Sequence, residues 1–552
     1  MAVLLILGGV ILLPLGFLIA NSFNVASPGR PFTPGVAGWV DAFSNPKTLR
    51  AIGYSFLLSI RSLIAVVVGF AISWLLVRAR IPARSFIEFS LWLAFFLPPL
   101  PITLGWILLL DPSYGLINEL AKRLFFLESG PFNVYSVPGI LWVHLTLTTI
   151  PFMTLLLAPA LRQFDASIEE SARVCGSSPL EIIRRITLPL LIPVILTVLI
   201  ATLIRTLEAF EIEQLLGTRV GIDVYGTRIY DLIRWDPPNF PEAVALSTLF
   251  LAILLALALF YQRHTAGRQF VTLTGRGVSF RPINIGRWQY VASGLCLALI
   301  VVGVFLPLAM LIVGSFMNLF GFFSLAAPFS AKHWVSVLWD ADFLGSLWNS
   351  LQIGLGVGIV GVGIYSLLGY AVVRSRLPGR QVIGILAWLP WAIPGILLGV
   401  ALLWLLLATP AARILYGTVW ALILALVIKE MPLGTHMSKT SFLQVSPELE
   451  QASRVAGANW LTTYRRITLP LITPMLVSIF VLVFIATLRD ISTTILLATA
   501  STRPLSVLMM EYSNQGSLEA ASVIGVVISV IAILVALAAR RFGLRRMGYE
   551  SA

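Results

Sequence analysis

The sequence predicts an all-α polytopic membrane protein, with twelve transmembrane helices arranged as two parallel six-helix repeats. Three observations predict this class: the composition, the apolar segments and an internal duplication. Hydrophobic residues make up 58% of the 552 residues and charged residues only 11%, with a mean hydropathy of +0.93. Because average chains carry about a quarter charged residues, this composition indicates a protein that faces lipid.

The apolar segments are long enough to cross a bilayer, which takes about 20 mostly apolar residues. They are expected to be helices, because backbone groups in hydrocarbon must bond within their own segment. A β-barrel is excluded because the segments are too long and do not alternate. The first half contains segments at 1–23, 51–77, 86–110, 137–160, 187–217 and 243–262. The second half contains segments at 290–316, 346–373, 381–407, 416–438, 468–499 and 520–539.

The net charge of +13 is interpreted as topology rather than as a nucleic-acid-binding surface, so the expected partner is the lipid bilayer. Lys and Arg collect in loops that stay cytoplasmic. In the second half, the loops predicted to lie outside contain only Lys332, Arg413 and Arg503. The first-half outer loops do contain basic residues, such as Arg30, Lys122, Arg228 and Arg234, but acidic residues in the same loops match them. The bias of the other basic loops therefore predicts that both termini are cytoplasmic.

The two halves repeat the same sequence patterns in the same order. "LPLGFLIANSF" (13–23) matches "LPLAMLIVGSF" (306–316), and "VRARIPAR" (77–84) matches "VRSRLPGR" (373–380). Because each half has an even number of spans, both halves enter the membrane with the same orientation. The predicted domains are 1–262 and 290–545, joined by a polar, basic linker at 263–289.

A polar loop before the fifth span of each half is also repeated, at about 165–186 and 446–467. Each copy predicts a short helix, a glycine break and a second short helix on the cytoplasmic surface. Ser167 and Ser446 are the predicted N-caps, with Glu170 three residues after Ser167 and Pro447 at the first helical position. The second helix of the first copy is expected to begin near Pro179. The span that follows contains Pro189 or Pro470, expected near a helix start where few hydrogen bonds are lost.

These loops resemble the EAA loop of the membrane subunits of ATP-binding-cassette importers, whose pattern is E-A-A-x-x-x-G followed by I-x-L-P. Glu170-Ser171-Ala172 leads to Gly176 and Pro189, and Gln451-Ala452-Ser453 leads to Gly457 and Pro470. The second copy has Gln451 at the family's acidic position, and Glu450 stands one place before it. The resemblance implies a type I importer permease fold in which these loops couple to an ATPase. The residues assigned to that coupling are Glu170, Ser171, Ala172, Gly176, Arg184, Arg185, Pro189, Glu450, Gln451, Ala452, Gly457, Arg465, Arg466 and Pro470.

The same resemblance implies the partners and the location of the protein. Two copies of a cytoplasmic ATPase would bind ATP and magnesium, and an extracytoplasmic binding protein would deliver the solute at a bacterial inner membrane. No Walker A pattern occurs in the sequence. The chain is therefore expected to be a transport subunit rather than an enzyme, with no cofactor of its own. No metal site is assigned, because His144, His264, His333 and His436 are isolated in the sequence.

Ionisable residues within spans are candidates for the translocation path or a gate. They are Arg205, Glu208, Glu211, Glu213, Arg489 and Asp490, placed about halfway along the fifth and eleventh spans or beyond. Arg205 and Glu208 are spaced to pair on one helix, whereas a Glu208–Arg489 pair across the pseudo-axis would act as a gate. Arg61 and the adjacent Lys429 and Glu430 are weaker candidates.

The fused twelve-span layout and the segment "LRDISTTILLAT" are similar to iron(III) importer permeases. Acidic side chains in the path would suit a hard cation, which prefers oxygen ligands. Permeases for thiamine and 2-aminoethylphosphonate share the fused layout, so these substrates stay open. A secondary transporter is the alternative from a different class.

Overall fold

The computed structural model describes residues 2–28, 30–163, 167–265, 283–375 and 379–542. Within these ranges the regular elements are helices, and extended backbone pairs only at isolated bridges such as Ala79 with Ile283. The predicted all-α fold class is confirmed.

The described residues contain ten helices that are long and apolar enough to span a membrane, and two bent helix pairs that bring the number to twelve. The spans of the first half are Leu4–Asn21, Pro46–Arg78, the bent pair Arg84–Phe96 and Pro99–Leu110, Val137–Arg162, Pro179–Leu207 and Phe240–Tyr261. Those of the second half are Trp288–Ser315, Ala341–Arg374, the bent pair Arg380–Ala392 and Gly395–Ala408, Val419–Gln444, Trp460–Arg489 and Leu518–Ala538. Shorter helices connect them: Ala37–Ser44, Leu116–Phe125, Ser167–Val174, Tyr225–Arg234, Lys332–Leu338, Pro410–Arg413, Pro447–Val455 and Leu505–Asn514.

The third and ninth spans are bent, which corrects the straight segments predicted at 86–110 and 381–407. Their two helical parts meet at 107° and 108°. The first bend follows Leu97, which is extended with ψ 137° because it precedes Pro98. The second follows Ile393, extended with ψ 109° before Pro394. Hydropathy located the apolar residues correctly but carries no information on this change of direction.

The fifth and eleventh spans begin earlier and end earlier than the predicted segments 187–217 and 468–499. Each is one helical run, Pro179–Leu207 or Trp460–Arg489, so the second short helix of each repeated loop is continuous with the span. Pro189 therefore lies well inside a helix rather than at its start. The acids from Glu208 to Glu213 lie at or beyond the end of the span.

A wide π-helical turn explains how the helix tolerates this proline. In Ile183–Thr187 the pattern shifts, and the Leu188 N–H donates to the Ile183 carbonyl five residues back. Proline has no N–H and its ring pushes away the carbonyl four residues before it, so a widened turn accommodates both effects. The same turn precedes Pro470 at Tyr464–Thr468.

The described chain forms two compact units, each built from more than one segment of the sequence. One unit contains Lys47–Thr227 and Ile253–Ser330; the other contains Met1–Pro46, Arg228–Ala252 and Ala331–Ala552. The first span of each half thus packs in the unit formed mainly by the other half. In the Lys47–Thr227 unit, a Cβ on Gly105 would lie 1.9 Å from the Pro307 carbonyl oxygen, so only glycine allows this approach.

Candidate functional site: the repeated loops and buried charge clusters

The first repeated loop (residues 167–187) folds as a helix, a glycine turn and the start of the fifth span. Its short helix is Ser167–Val174, and Gly176 follows with φ +88°. The second repeated loop (residues 447–468) has the helix Pro447–Val455 and Gly457 with φ +85°. Glycine is required at both turns because L side chains rarely adopt this conformation.

The helix that follows each turn is capped in the same way. The Ser178 hydroxyl accepts from the Glu181 N–H, and Glu181 bonds back to the Ser178 N–H in a capping box. In the second repeated loop, the Asn459 side chain accepts from the Thr462 N–H. Ser446 has the predicted N-cap position before Pro447, although its side chain makes no capping bond.

Each repeated loop exposes apolar side chains at three equivalent positions. Val174 and Val455 are both 89% exposed, at the ends of the two short helices. The other two positions are Ile168 with Leu449 and Leu180 with Leu461, also exposed. Sequence reasoning missed these residues. Their signal was the conservation of an apolar type between the two copies within a segment that is otherwise polar.

The opposite face of the first repeated loop is fixed by a buried carboxylate, Glu169. Its Oε2 lies 3.1 Å from Arg78 Nε, and both side chains are 2% exposed or less. The Thr187 hydroxyl donates to Glu169 Oε1 at 2.6 Å. The Arg78 contact is ionic rather than an aligned hydrogen bond, since neither atom has a hydrogen-bond partner. Glu169 thereby joins the short helix to the end of the second span and to the start of the fifth.

The second repeated loop has the equivalent carboxylate, Glu450. Arg374 Nε lies 3.4 Å from Glu450 Oε1, and the Tyr370 hydroxyl donates to Oε2 at 3.0 Å. Arg374 also donates to the carbonyls of Phe442 and Val445. The buried acid in each copy is thus the residue before the aligned E-A-A position, paired with the arginine that ends the second span of that repeat.

The predicted coupling residues therefore separate into three groups by burial. Glu450 points inward, together with the unpredicted Glu169. Glu170 and Ala172 are half-buried. The exposed members are Ser171, Gly176, Arg184, Arg185, Pro189, Gln451, Ala452, Gly457, Arg465, Arg466 and Pro470.

A second buried charge cluster lies where the fifth span of the first half ends. Glu213 Oε1 lies 2.8 Å from His144 Nε2 and 3.6 Å from Arg61 Nη1. Arg61 also donates to the carbonyls of Leu58 and Thr206, at 3.0 and 2.9 Å. Glu213 and Arg61 are almost completely buried. The cluster connects the second, fourth and fifth spans, so Arg61 is a partner of Glu213 rather than a separate site.

The second half has a comparable cluster around Asp490. Lys429 Nζ forms an ion pair with Asp490 Oδ2 and lies 3.1 Å from the Thr493 hydroxyl. The Thr493 N–H donates to Asp490 Oδ1 at 3.0 Å. A Cβ on Gly395 would lie 2.8 Å from Lys429 Nζ, so the bent ninth span packs directly on this cluster.

The remaining path candidates lie outside these clusters. Arg205 Nη1 pairs with Glu208 Oε2 at 3.2 Å, the pairing on one helix that their spacing allows. Glu208 caps the fifth span and is half-buried, as is Glu211. Arg489 is the last residue of the eleventh span helix. Within the described ranges, no group of three or more His, Cys, Asp or Glu side chains is arranged to hold a metal ion.

At the end of the eighth span opposite to Arg374, a polar cluster fixes the helix Leu505–Asn514. Arg503 pairs with Asp342 at 3.0 Å and with Glu511 at 2.6 Å. Burial lowers the pKa of Arg503, but the hydrogen bond to Glu511 and both carboxylates outweigh it and raise the pKa. Burial and the Tyr512 hydrogen bond to Asp340 raise the pKa of Tyr512 to about 12. At neutral pH, Arg503 therefore stays charged and Tyr512 stays neutral, and both can donate hydrogen bonds to the carboxylates.

Comparisons with known proteins match both repeats. A sequence model of the family described as binding-protein-dependent transport system inner membrane component matches residues 36–271 and 359–548. The ferric transport system permease protein FbpB of Actinobacillus pleuropneumoniae is 25% identical, over 90% of this chain and 73% of its own. The Fe(3+)-transport system permease protein FbpB 2 of Haemophilus influenzae is 24% identical, over 88% of this chain and 89% of its own. A bacterial alginate importer of known structure is 21% identical and covers 45% of this chain and 86% of its own, with a TM-score of 0.39.

Proposed function

Because this chain belongs to the family of binding-protein-dependent transport system inner membrane components, we propose that it imports a solute by alternating access driven by two copies of a separate ATPase. A family domain in each half makes the chain a fused permease of an inner-membrane importer. ATP and magnesium would be bound by the ATPase, since the chain has no Walker A pattern.

The observation that carries this proposal is the equivalent apolar surface on the two repeated loops. Val174 and Val455 are almost fully exposed, and Leu180 and Leu461 are exposed in the same two loops. The polar sequence around them makes lipid a poor cover for these side chains. A clustered apolar patch with a polar rim is typical of a protein interface. Two equivalent patches fit a partner that is present in two identical copies.

The buried carboxylates supply the mechanical connection that this function requires. Glu169 and Glu450 tie each short helix to the arginine at the end of the second span. The fifth and eleventh spans are continuous with the loops themselves. A rigid-body movement of a docked ATPase would therefore be transmitted to two spans of each repeat at once.

For the substrate, we propose ferric iron, supported by relatives named as ferric transport permeases. Thiamine and 2-aminoethylphosphonate are the alternatives. Within the path, Glu208 and Glu211 with Arg205 and Arg489 are the residues proposed to line it or to form a gate. Glu213 and Asp490 are proposed to lock helices, since both are buried in ion pairs.

The docking proposal is tested with the double variant V174D/V455D. Charges at these positions are expected to abolish co-purification of the partner ATPase, while the chain still inserts and folds. Phe126→Asp is the matched control, because Phe126 is 92% exposed but lies outside both loops. Retention of the ATPase by V174D/V455D at the level of the control would refute docking at this surface.

The substrate is tested in a complex reconstituted with its ATPase and binding protein. Iron-loaded binding protein is expected to stimulate ATP hydrolysis, and the empty form is not. Equal stimulation by a thiamine- or phosphonate-loaded partner would overturn ferric iron. The cytoplasmic placement of both termini, also proposed, is checked by their protease accessibility in right-side-out and inverted vesicles.

A further inference from the structure

The strongest unassigned feature is a backbone pairing between the predicted linker and the turn that carries Arg78. Ile283 lies inside the predicted linker 263–289, of which residues 266–282 are outside the described ranges. Its N–H donates to the Arg78 carbonyl at 2.8 Å, and its carbonyl accepts from the Arg80 N–H at 2.9 Å. Two such bonds form a short parallel bridge centred on Ala79.

The side chain of Ile283 is held as firmly as its backbone. It is 5% exposed and belongs to one hydrophobic cluster with Ala79, Ile81 and Leu161. Ten residues further on, the Ser293 hydroxyl donates to the Pro82 carbonyl at 2.6 Å. The chain entering the seventh span is therefore attached to the turn after the second span at two separate points.

This turn is also where the first repeated loop is fixed. The Arg78 carbonyl accepts the hydrogen bond from the Ile283 N–H, and the Arg78 guanidinium makes the ionic contact with Glu169. One residue thus connects the linker segment to the short helix of the first repeated loop. The second repeated loop is secured differently, through Tyr370 and through the contacts of Arg374 with two carbonyls.

We propose that Ile283, acting through Arg78 and Glu169, is a positioning residue for the first repeated loop, so that the segment joining the two halves sets how this loop follows the ATPase. The inference rests on the proposed coupling function for its consequence in transport. Its structural part, selective control of one loop by Ile283, stands independently of that function.

The test replaces Ile283 with proline, which removes the donating N–H. Ile283→Val is the matched control, since it keeps the backbone bonds and the buried aliphatic side chain. Loss of one such hydrogen bond corresponds to roughly a two- to tenfold shift in a local opening equilibrium. We expect I283P to lower transport per ATP hydrolysed several-fold, whereas I283V leaves this ratio unchanged.

A spin label separates selective positioning from general damage. Cys175 is exposed at the tip of the first repeated loop, and Cys296 is buried. The equivalent position of the second repeated loop, Ala456, is labelled as A456C in a C175A background. I283P is expected to increase label mobility at 175 and to leave it unchanged at 456. Equal mobility changes at both positions, or none at 175, would overturn the proposal.

Two further variants keep the test decisive if I283P folds poorly. Glu169→Gln breaks the same connection at its other end, and is expected to mobilise the label at 175 only. Glu450→Gln should mobilise the label at 456 only. Selective mobility without any ATP-driven transport would retain the positioning role and refute the proposed function. If I283P loses transport while the label at 175 keeps its native mobility, the positioning role is refuted and the proposed function is retained.

Discussion

The replacement Glu213→Gln tests whether the cluster at the end of the fifth span is a structural lock. In the native chain Arg61 is 2% exposed, and its guanidinium faces the Glu213 carboxylate at 3.6 Å. The variant leaves that cation buried with two carbonyl acceptors but no counter-charge. Removing one partner of a buried ion pair costs about 3–5 kcal/mol.

Glu208→Gln is a matched control five positions away. Its partner Arg205 is 43% exposed, and a pair open to water contributes only about 0–1 kcal/mol. The same chemical change therefore removes a carboxylate from a buried pair in one variant and from an exposed pair in the other.

The assay is thermal unfolding of the two purified variants in the same detergent at one scan rate, because such proteins often unfold irreversibly. At about 2–4 °C per kcal/mol for a unit of roughly this size, E213Q should melt about 6 °C or more below native. E208Q should melt within about 4 °C of it. Equal melting temperatures for the two variants would refute the lock.

Four other variants follow from glycine geometry. Gly176→Val and Gly457→Val each place a side chain at positive φ with no atom within 4 Å of the new Cβ, so the cost is backbone strain of about 1–2 kcal/mol. Both should keep a folded chain but lose ATPase stimulation by the loaded binding protein; full stimulation would contradict a rigid coupling turn. Gly105→Val would drive a Cβ into the Pro307 carbonyl and should destabilise by about 1–3 kcal/mol or more. Gly16→Val, where nothing lies within 4 Å, should melt like the native chain, and equal melting of the two would argue against the close approach.

Sequence reasoning reached the helical class, the number of spans and the repeated loops because these depend on local patterns. Apolar run length sets a span, and a glycine between two short polar helices marks a turn that needs positive φ. Gly176 and Gly457 could therefore be identified from their spacing to Pro189 and Pro470. Because the sequence is duplicated, each of these features could be identified in both halves.

The sequence-based predictions were wrong where tertiary contacts or a local backbone rearrangement determine the structure. Hydropathy cannot show that Pro98 and Pro394 turn a span through more than 100°. It also placed Pro189 at a helix start, although a π-turn lets the helix run through it. Aligning the family motif drew attention to Glu170 and hid Glu169. Only the partner Arg78, about ninety positions earlier in the sequence, identifies Glu169 as the buried acid.

The proposed coupling depends on one claim, that the two repeated loops receive the movement of two identical ATPase copies. The direct measurement is cysteine cross-linking from V174C and V455C, each in a C175A background, to the ATPase in native membranes. Both positions should yield a cross-linked product that contains one ATPase copy. If either cysteine is shielded by lipid, or is modified only from the opposite face of the membrane, that claim is contradicted.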